Sequence, residues 1–228
     1  MTITLPTFSF ELFQDRAFLA LLTIIAVCVI DLMRMALTRT PADPRPVLEQ
    51  LCDLLLAPVM TRLNKKERSD RARAIRGGIV TLVALVCIVG ADLFVHPLIA
   101  GFGYSAVFQA LVLMGSVTAL GWLVPLKALA AILADPKAPR PYIVMARASY
   151  SNLVPLDDAG MIRHAVGAAL RAVIFRLMAP LFLFIIGGVP AVLAYIICLV
   201  IAMRAGADAG PAPFATLAVC VVGVCVAL

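Results

Sequence analysis

The segment Met178–Met203 contains no charged residue, and this feature limits the possible folds more than any other in the chain. A bilayer core takes about 20 apolar residues in helical form, so the segment is long enough to cross one. The whole chain is 63% hydrophobic and 14% charged, whereas soluble domains are roughly half apolar and a quarter charged. The apolar runs are continuous rather than alternating, which favours helices over membrane strands. The sequence therefore predicts an all-α, polytopic integral membrane protein.

About five membrane-spanning helices are predicted within one domain that covers residues 1–228. They are Ala17–Leu37, Gly78–Val95, Tyr104–Leu126, Met178–Met203 and Phe214–Leu228. The last segment is short, so four spans with a half-inserted C-terminal segment is the alternative. Pro125 predicts a break or kink in the third span. Gly187, Gly188 and Pro190 predict a discontinuity in the fourth, which protein must cover.

The segment Val47–Leu63 is predicted to be an amphipathic helix that lies on the membrane surface or re-enters the bilayer. Its apolar stripe and its polar positions fall on different sides of the helix. The stripe consists of Leu48, Leu51, Leu55 and Val59, and the polar positions are Glu49, Gln50 and Asp53.

A second amphipathic helix is predicted over Ala159–Leu177, after an N-cap at Asp157 or Asp158. Its apolar face is formed by Ile162, Val166, Leu170, Val173 and Leu177. Because the charged residues of this region cluster around that helix, we expect it to lie on the cytoplasmic side.

Basic residues predict the orientation of the chain. The net charge is +6, and most arginines and lysines fall in two loops, about 38–77 and 127–177, which the positive-inside rule places in the cytoplasm. This arrangement puts the N-terminus outside and the C-terminus inside a bacterial inner membrane, with Arg16 and Arg204 as the basic residues left outside. No aromatic-interleaved basic motif is present, so nucleic-acid binding is not expected.

Cysteine and histidine patterns predict neither a metal site nor a disulfide framework. The chain has six cysteines, most of them inside apolar runs, and no CxxC pair. His96 and His164 are far apart in the sequence. Glu11 and Asp15 precede the first apolar run, so a cleavable signal peptide is not expected either.

The stretch Tyr150–Arg204 carries a series of short motifs in a defined order. They are Leu156-Asp157-Asp158-Ala159-Gly160, Ala179-Pro180-Leu181-Phe182, Gly187-Gly188-Val189-Pro190-Ala191 and Leu193-Ala194-Tyr195. Asp31, Pro46-Val47 and Arg76-Gly77 give weaker support at the front. Together they resemble the membrane-bound adenosylcobinamide-phosphate synthases of cobalamin biosynthesis (CbiB/CobD type), and more distantly the AmpE-type inner-membrane proteins.

The resemblance implies an ATP- and Mg-dependent amide bond between adenosylcobyric acid and aminopropanol or its phosphate. It also implies carboxylates at the positions that are Gly167, Arg171 and Phe175 here, one helical face on which oxygens would converge. Further polar positions of the family are apolar in this chain: Ala172, Ile196, Leu199 and Ala202. The motifs that imply the fold are therefore present, while the side chains implied for catalysis are replaced.

Two hypotheses follow from this replacement of polar side chains. One is a divergent synthase, which would require Mg and ATP and would bind a corrinoid precursor at the cytoplasmic face. The other is a non-catalytic, synthase-like membrane scaffold, ligand binder or sensor, whose partners would be the lipid bilayer and other membrane proteins. A small transporter is a weaker third, because no inverted repeat is visible. Carboxylates elsewhere, such as Asp53 or Asp92, could compensate for those lost, but the predicted topology places Asp92 on the opposite side of the membrane.

No residue is assigned as catalytic or metal-binding. The candidate ligand-binding residues are Ser151, Asn152, Asp157, Asp158, Arg163 and Arg171, with Asp31 and Arg34 as a candidate polar pair at the membrane boundary. Each has a structural alternative: the aspartates as helix caps, the arginines as orientation charges, and the pair as an interfacial anchor.

Overall fold

A computed structural model confirms the all-helical class. It describes residues 10–37, 45–63, 69–101, 105–134, 139–149, 157–206 and 216–227. The helices are α1 (Phe10–Leu37), α2 (Val47–Leu63), α3 (Asp70–Gly101), α4 (Ser105–Ser116), α5 (Leu123–Ala134), α6 (Pro139–Ser149), α7 (Asp158–Val173), α8 (Ala179–Gly206) and α9 (Thr216–Ala227). A π-helical turn, Ile174–Met178, joins α7 to α8.

Three stretches of the described chain are long and apolar enough to cross a membrane. They are Gln14–Met33 in α1, Asp70–Val95 in α3, and Asp158–Arg204, which runs through α7 and α8. In α1 and α3 most large apolar side chains point away from the protein, as lipid-facing helices require. The first two predicted spans are confirmed as helices long and apolar enough to cross a membrane, in agreement with a multi-pass membrane protein.

The third predicted span, Tyr104–Leu126, is wrong as a single helix. The chain leaves helical geometry between α4 and α5, over residues 117–122. Pro125 lies in the first turn of α5, where a missing amide hydrogen costs nothing because that group has no partner within the helix. The expected break is therefore present, but it lies just before the proline and separates two helices of 12 residues each.

The fourth predicted span, Met178–Met203, is discontinuous as predicted, and it folds back on itself. Gly188 has φ 68° and ψ −157°, outside helical geometry. The hydroxyl of Tyr195 donates to the carbonyl of Phe175 at 3.0 Å, although 20 residues of straight helix would separate these residues by about 30 Å. α8 is therefore a helical hairpin with its tip at Gly188.

The hairpin is the centre of the main hydrophobic core. Its buried side chains include Phe184, Val192, Tyr195, Leu199 and Ile201. α1, α2, α3, α4 and α9 all pack against α8. At the tip, Arg16 of α1 donates to the carbonyl of Ile186 at 3.3 Å, so α1 supplies a donor to a carbonyl near the reversal.

The reversal overturns part of the predicted topology. Arg204, at the end of the hairpin, bonds Asp53 of α2. The sequence interpretation had separated Arg204 from the loop 38–77 by the thickness of the membrane. Because the hairpin brings both of its ends to the same level, Arg204 lies on the same side as that loop.

α7 is confirmed as a helix, but its predicted apolar face points outward. Ile162, Val166 and Leu170 are exposed, whereas the small residues Ala165, Ala168, Ala169 and Ala172 are buried. α7 packs with α5 and α6 around a second, smaller core that includes Ile132, Met145 and Met161. Small side chains let the helix backbones approach closely, which is the usual source of packing where lipid covers the other face.

α9 lies within the predicted fifth span. It is described over 12 residues, about 18 Å of helix, and it packs on α3 and α8. The fifth span and the half-inserted alternative both stay predictions.

Candidate functional site

α2 turns its acidic residues toward the protein. Glu49 and Asp53 are one helical turn apart and therefore share a face, and Glu49 is only 2% exposed. The aliphatic residues of the opposite face point outward: Val47, Leu51, Leu54, Leu55 and Val59. The helix predicted over Val47–Leu63 is confirmed, but its protein-facing side carries the two acidic residues together with Met60.

Glu49 forms a bidentate salt bridge with Arg176 of the π-helical turn. Arg176 Nε donates to Glu49 Oε2 at 2.8 Å and Arg176 Nη2 donates to Oε1 at 2.9 Å. Both side chains are almost completely buried. This parallel geometry is the strongest form of arginine–carboxylate recognition, and it offsets the cost of removing two charges from water.

Asp53 is held by two arginines. Arg45 Nη1 donates to its Oδ2 at 3.1 Å, and Arg204 bonds both carboxylate oxygens, with Nη2 at 3.2 Å from Oδ2. Burial alone would raise the pKa of Asp53, but Arg204 and then Arg45 outweigh it, so the pKa lies below its ordinary value. Asp53 is therefore ionised at neutral pH, and α2 is bonded to both ends of the α8 hairpin. We call Glu49, Asp53, Arg45, Arg176 and Arg204 the ionic centre.

Cys52 lies between the two acidic residues, in a setting that favours the protonated thiol. Burial, and secondarily the charge of Glu49, raises the pKa of its thiol. Since the thiolate is the form that reacts or binds metal, the raised pKa makes the sulfur less reactive.

The π-helical turn supplies backbone acceptors beside the ionic centre. Ala179 N–H bonds the carbonyl of Ile174, five residues earlier. The carbonyl of Phe175 accepts from Tyr195, and that of Arg176 accepts from the amide of Thr118 at 3.2 Å. The turn thus ties the hairpin to the break between α4 and α5.

Asp31 stabilises the same break from α1. Its Oδ2 accepts the amides of Ala119 and Leu120 at 3.0 and 3.1 Å. Thr118 accepts the amide of Gly121 through its hydroxyl at 2.8 Å. The role found for Asp31 is therefore to satisfy backbone donors where the helix stops. Its predicted partner Arg34 lies in α1, and the Arg34 side chain is outside the described part of the structure.

The other predicted site residues lie on or before α7. Ser151 and Asn152 fall outside the described residues. Asp157 caps the helix by accepting the amide of Gly160 at 2.8 Å, as predicted for the N-cap, and its ligand-binding role stays a prediction. Asp158 is an exposed residue of the first turn, and Arg163 is exposed, with Nε 3.4 Å from the carbonyl of Ala159.

The positions at which the resemblance implies carboxylates do not suit a divalent cation. A Cβ atom placed on Gly167 would lie 3.5 Å from Nη1 of Arg171, so a guanidinium covers this part of the face. Magnesium prefers oxygen ligands, and a fixed positive charge repels it. Within the described ranges, no three histidine, cysteine or acidic side chains converge on a possible metal position.

Sequence reasoning missed the ionic centre, apart from naming Asp53 as a remaining carboxylate. Glu49 and Asp53 are four residues apart in an otherwise aliphatic helix, and Arg176 and Arg204 bound the uncharged segment. Paired charges in a membrane protein are expensive and mark a place where partners must meet. That signal was available, but the partners become evident only once the hairpin is known.

Comparison with known proteins gives no assignment, since no family model, no curated protein and no solved structure matches this chain.

Proposed function

We propose that this chain is a non-catalytic membrane scaffold that keeps the frame of the adenosylcobinamide-phosphate synthases but not their chemistry. The observation that carries the proposal is the ionic centre. Its two carboxylates are bonded by arginines and stabilise the packing of α2 against α8. Carboxylates engaged in this way do not offer their oxygens to magnesium or to a nucleotide.

The residues that carry the resemblance support a structural role. Gly188 forms the tip of the hairpin, Ala179 and Leu181 are buried in its first arm, and Val189 and Tyr195 are buried in its second. These positions build the central hairpin, so a chain can retain them for its fold after catalysis is lost. Its partners in this proposal are the bilayer and other membrane proteins.

The proposed orientation places the ionic centre at the cytoplasmic side of a bacterial inner membrane, with the N-terminus outside. With Arg204 moved to the side of the loop 38–77, the described arginines and lysines lie on one side, except for Arg16 at the hairpin tip. This distribution obeys the positive-inside rule better than the arrangement predicted from the sequence. α1, α3, α4 and the two arms of α8 are the proposed membrane-embedded segments.

An activity assay tests the proposal. Purified protein in detergent is incubated with labelled adenosylcobyric acid, aminopropanol phosphate, ATP and magnesium, beside a synthase that has its acidic residues intact. We expect product from the intact synthase and none from this chain. Product that disappears when magnesium is chelated would overturn the proposal and identify a divergent synthase that acts on a corrinoid precursor.

One observation favours that divergent synthase as the second candidate. Glu49 and Asp53 repeat, on α2, the four-residue carboxylate spacing that the resemblance implies for α7. If the synthase assay is positive, Glu49→Gln and Asp53→Asn should abolish product while Asp158→Asn should not. This contrast would place the reaction on α2 rather than α7.

A further inference from the structure

The α7–α8 region carries an exposed apolar ridge with a residue at every fourth position. It consists of Ile162, Val166, Leu170, Ile174, Met178, Phe182 and Ile186, all of them exposed. α7, the π-helical turn and the first arm of α8 follow one another with helical backbone angles. Residues four apart lie about 40° apart around a helix, so the ridge winds slowly around the helix from α7 to the hairpin tip.

The apolar ridge is longer than the hydrocarbon core of a bilayer. Ile162 and Ile186 are 24 residues apart, about 36 Å of helix, and a hydrocarbon core is about 30 Å thick. Ile186 lies at the level where Arg16 meets the hairpin, near the start of the apolar stretch of α1. In the proposed orientation Arg176 lies at the cytoplasmic side, and α7 precedes it in the same helical run. The α7 end of the ridge therefore lies at headgroup depth.

A second row of residues, which we call the basic edge, runs beside the ridge. It consists of Arg163, Gly167 and Arg171, again four residues apart, and both arginines are exposed. The Arg171 guanidinium bends back over Gly167, toward the N-terminal end of α7. Arg163 also leans that way, toward the carbonyl of Ala159. Long basic side chains bend in this manner to bring their charge from an apolar layer to the headgroups.

We propose that the basic edge binds the headgroup phosphate of an acidic phospholipid, whose acyl chain lies along the apolar ridge. The two guanidinium groups supply planar donors that suit a phosphate. Gly167 provides the space in which Arg171 reaches the headgroup level. The basic edge lies beside the apolar ridge, just as the phosphate of a phospholipid is joined to its acyl chains. The proposal is independent of whether the chain is an enzyme.

Native mass spectrometry of the full-length protein tests this inference. The protein is reconstituted in nanodiscs of phosphatidylcholine mixed with phosphatidylglycerol, and the lipids retained after release are counted. We expect phosphatidylglycerol to be retained in preference. Arg163→Gln and Arg171→Gln should each lower that preference by about fivefold.

Two further variants distinguish a specific lipid-binding site from non-specific attraction by positive charge. Lys127→Gln removes one exposed charge from α5, in the same group of helices, and should leave the preference unchanged. Gly167→Leu keeps every charge but fills the space over which Arg171 folds, and it should lower the preference as much as Arg171→Gln does. An equal loss in Lys127→Gln, or none in Gly167→Leu, would overturn the site.

Alternative occupants give different results. Displacement of phosphatidylglycerol by inorganic phosphate would show that the site takes a free anion and not a lipid. A dimer that Arg163→Gln dissociates, without any change in retained lipid, would show that a second copy covers this face. Either result would overturn the proposal. The elution profile of each variant in size-exclusion chromatography checks that it is folded.

Discussion

α2 and α7 both carry aliphatic stripes and both turn much of them outward, yet they bury opposite kinds of side chain. α2 buries Glu49 and Asp53, while α7 buries alanines such as Ala168 and Ala172. Lipid is as apolar as leucine, so aliphatic residues gain little from turning inward in a membrane. The inner face is decided instead by the partner available: arginines for α2, and closely approaching backbones for α7.

This difference predicts unequal sensitivity to mutation. A buried charge without its partner is far more costly than a packing defect. Replacement of a single charged residue in α2 or its partners should therefore lower the stability of the protein strongly. The inner face of α7 should tolerate change up to the limit of available volume, and its outer face should tolerate nearly all apolar changes.

The largest effect is expected at Arg176. Arg176→Leu leaves the carboxylate of Glu49 buried without its described partner, which should lower the free energy of unfolding by about 3–5 kcal/mol. Unfolding in mixed detergent micelles, followed by circular dichroism, measures the change. Arg163→Leu removes an exposed arginine of α7 and serves as the control. Comparable losses in the two variants would mean that burial of the Glu49–Arg176 pair is not what matters.

A smaller loss is expected at the hairpin tip. Gly188 has φ 68°, and an added Cβ would lie 3.2 Å from the Arg16 guanidinium. Gly188→Ala should therefore lower the free energy of unfolding by about 1–3 kcal/mol. Gly90→Ala is the matched control, because an added Cβ there meets nothing within 4 Å, and it should stabilise α3 by about 0.5–1 kcal/mol. Equal effects at both glycines would contradict a reversal at Gly188.

Overpacking tests the inner face of α7. Ala168 is 3% exposed, and Ala168→Leu should cost about 1–3 kcal/mol, since the neighbouring helices must move apart. Leu170→Ala, two residues away on the outer face, should change the free energy of unfolding by less than about 0.5 kcal/mol. The same unfolding assay compares them, and a larger loss in Leu170→Ala would show that α7 buries its aliphatic side instead.

The smallest effect is the dependence on pH. The pKa of Asp53 is lower in the folded protein than the ordinary value of 3.8, so its contribution to stability is present above that value. The contribution is lost as the pH falls through the folded-state pKa. The free energy of unfolding should therefore decrease below about pH 4, and less steeply in Asp53→Asn. Identical pH profiles would show that Asp53 is not stabilised as an anion.

The fold class and much of the helix map follow from the sequence, but the path of the chain does not. Continuous apolar runs predicted α1 and α3, and Pro125, Gly187 and Gly188 predicted breaks near their true positions. Glycine shows that a helix is interrupted, but it does not distinguish a kink from a reversal, because both use its conformational freedom. The reversal depends on contacts between distant residues, such as Tyr195 with Phe175.

The candidate site was harder to predict for a related reason. Hydrophobic patterning assumes that aliphatic residues face the protein, and this assumption fails where lipid covers the outer face. Asp157 was predicted correctly as a cap because a helix N-terminus is a local feature. The pairing of Glu49 with Arg176 joins positions 127 residues apart, so no local pattern contains it.

The most direct test of the central claim, that the buried carboxylates stabilise the fold, is a double-mutant cycle. The free energy of unfolding is measured for the natural chain, Glu49→Leu, Arg176→Leu and the double variant. We predict that the double variant is more stable than the sum of the single losses implies, with a coupling of about 2 kcal/mol or more. Single losses that add to within about 0.5 kcal/mol would contradict the account, because independent residues behave in that way.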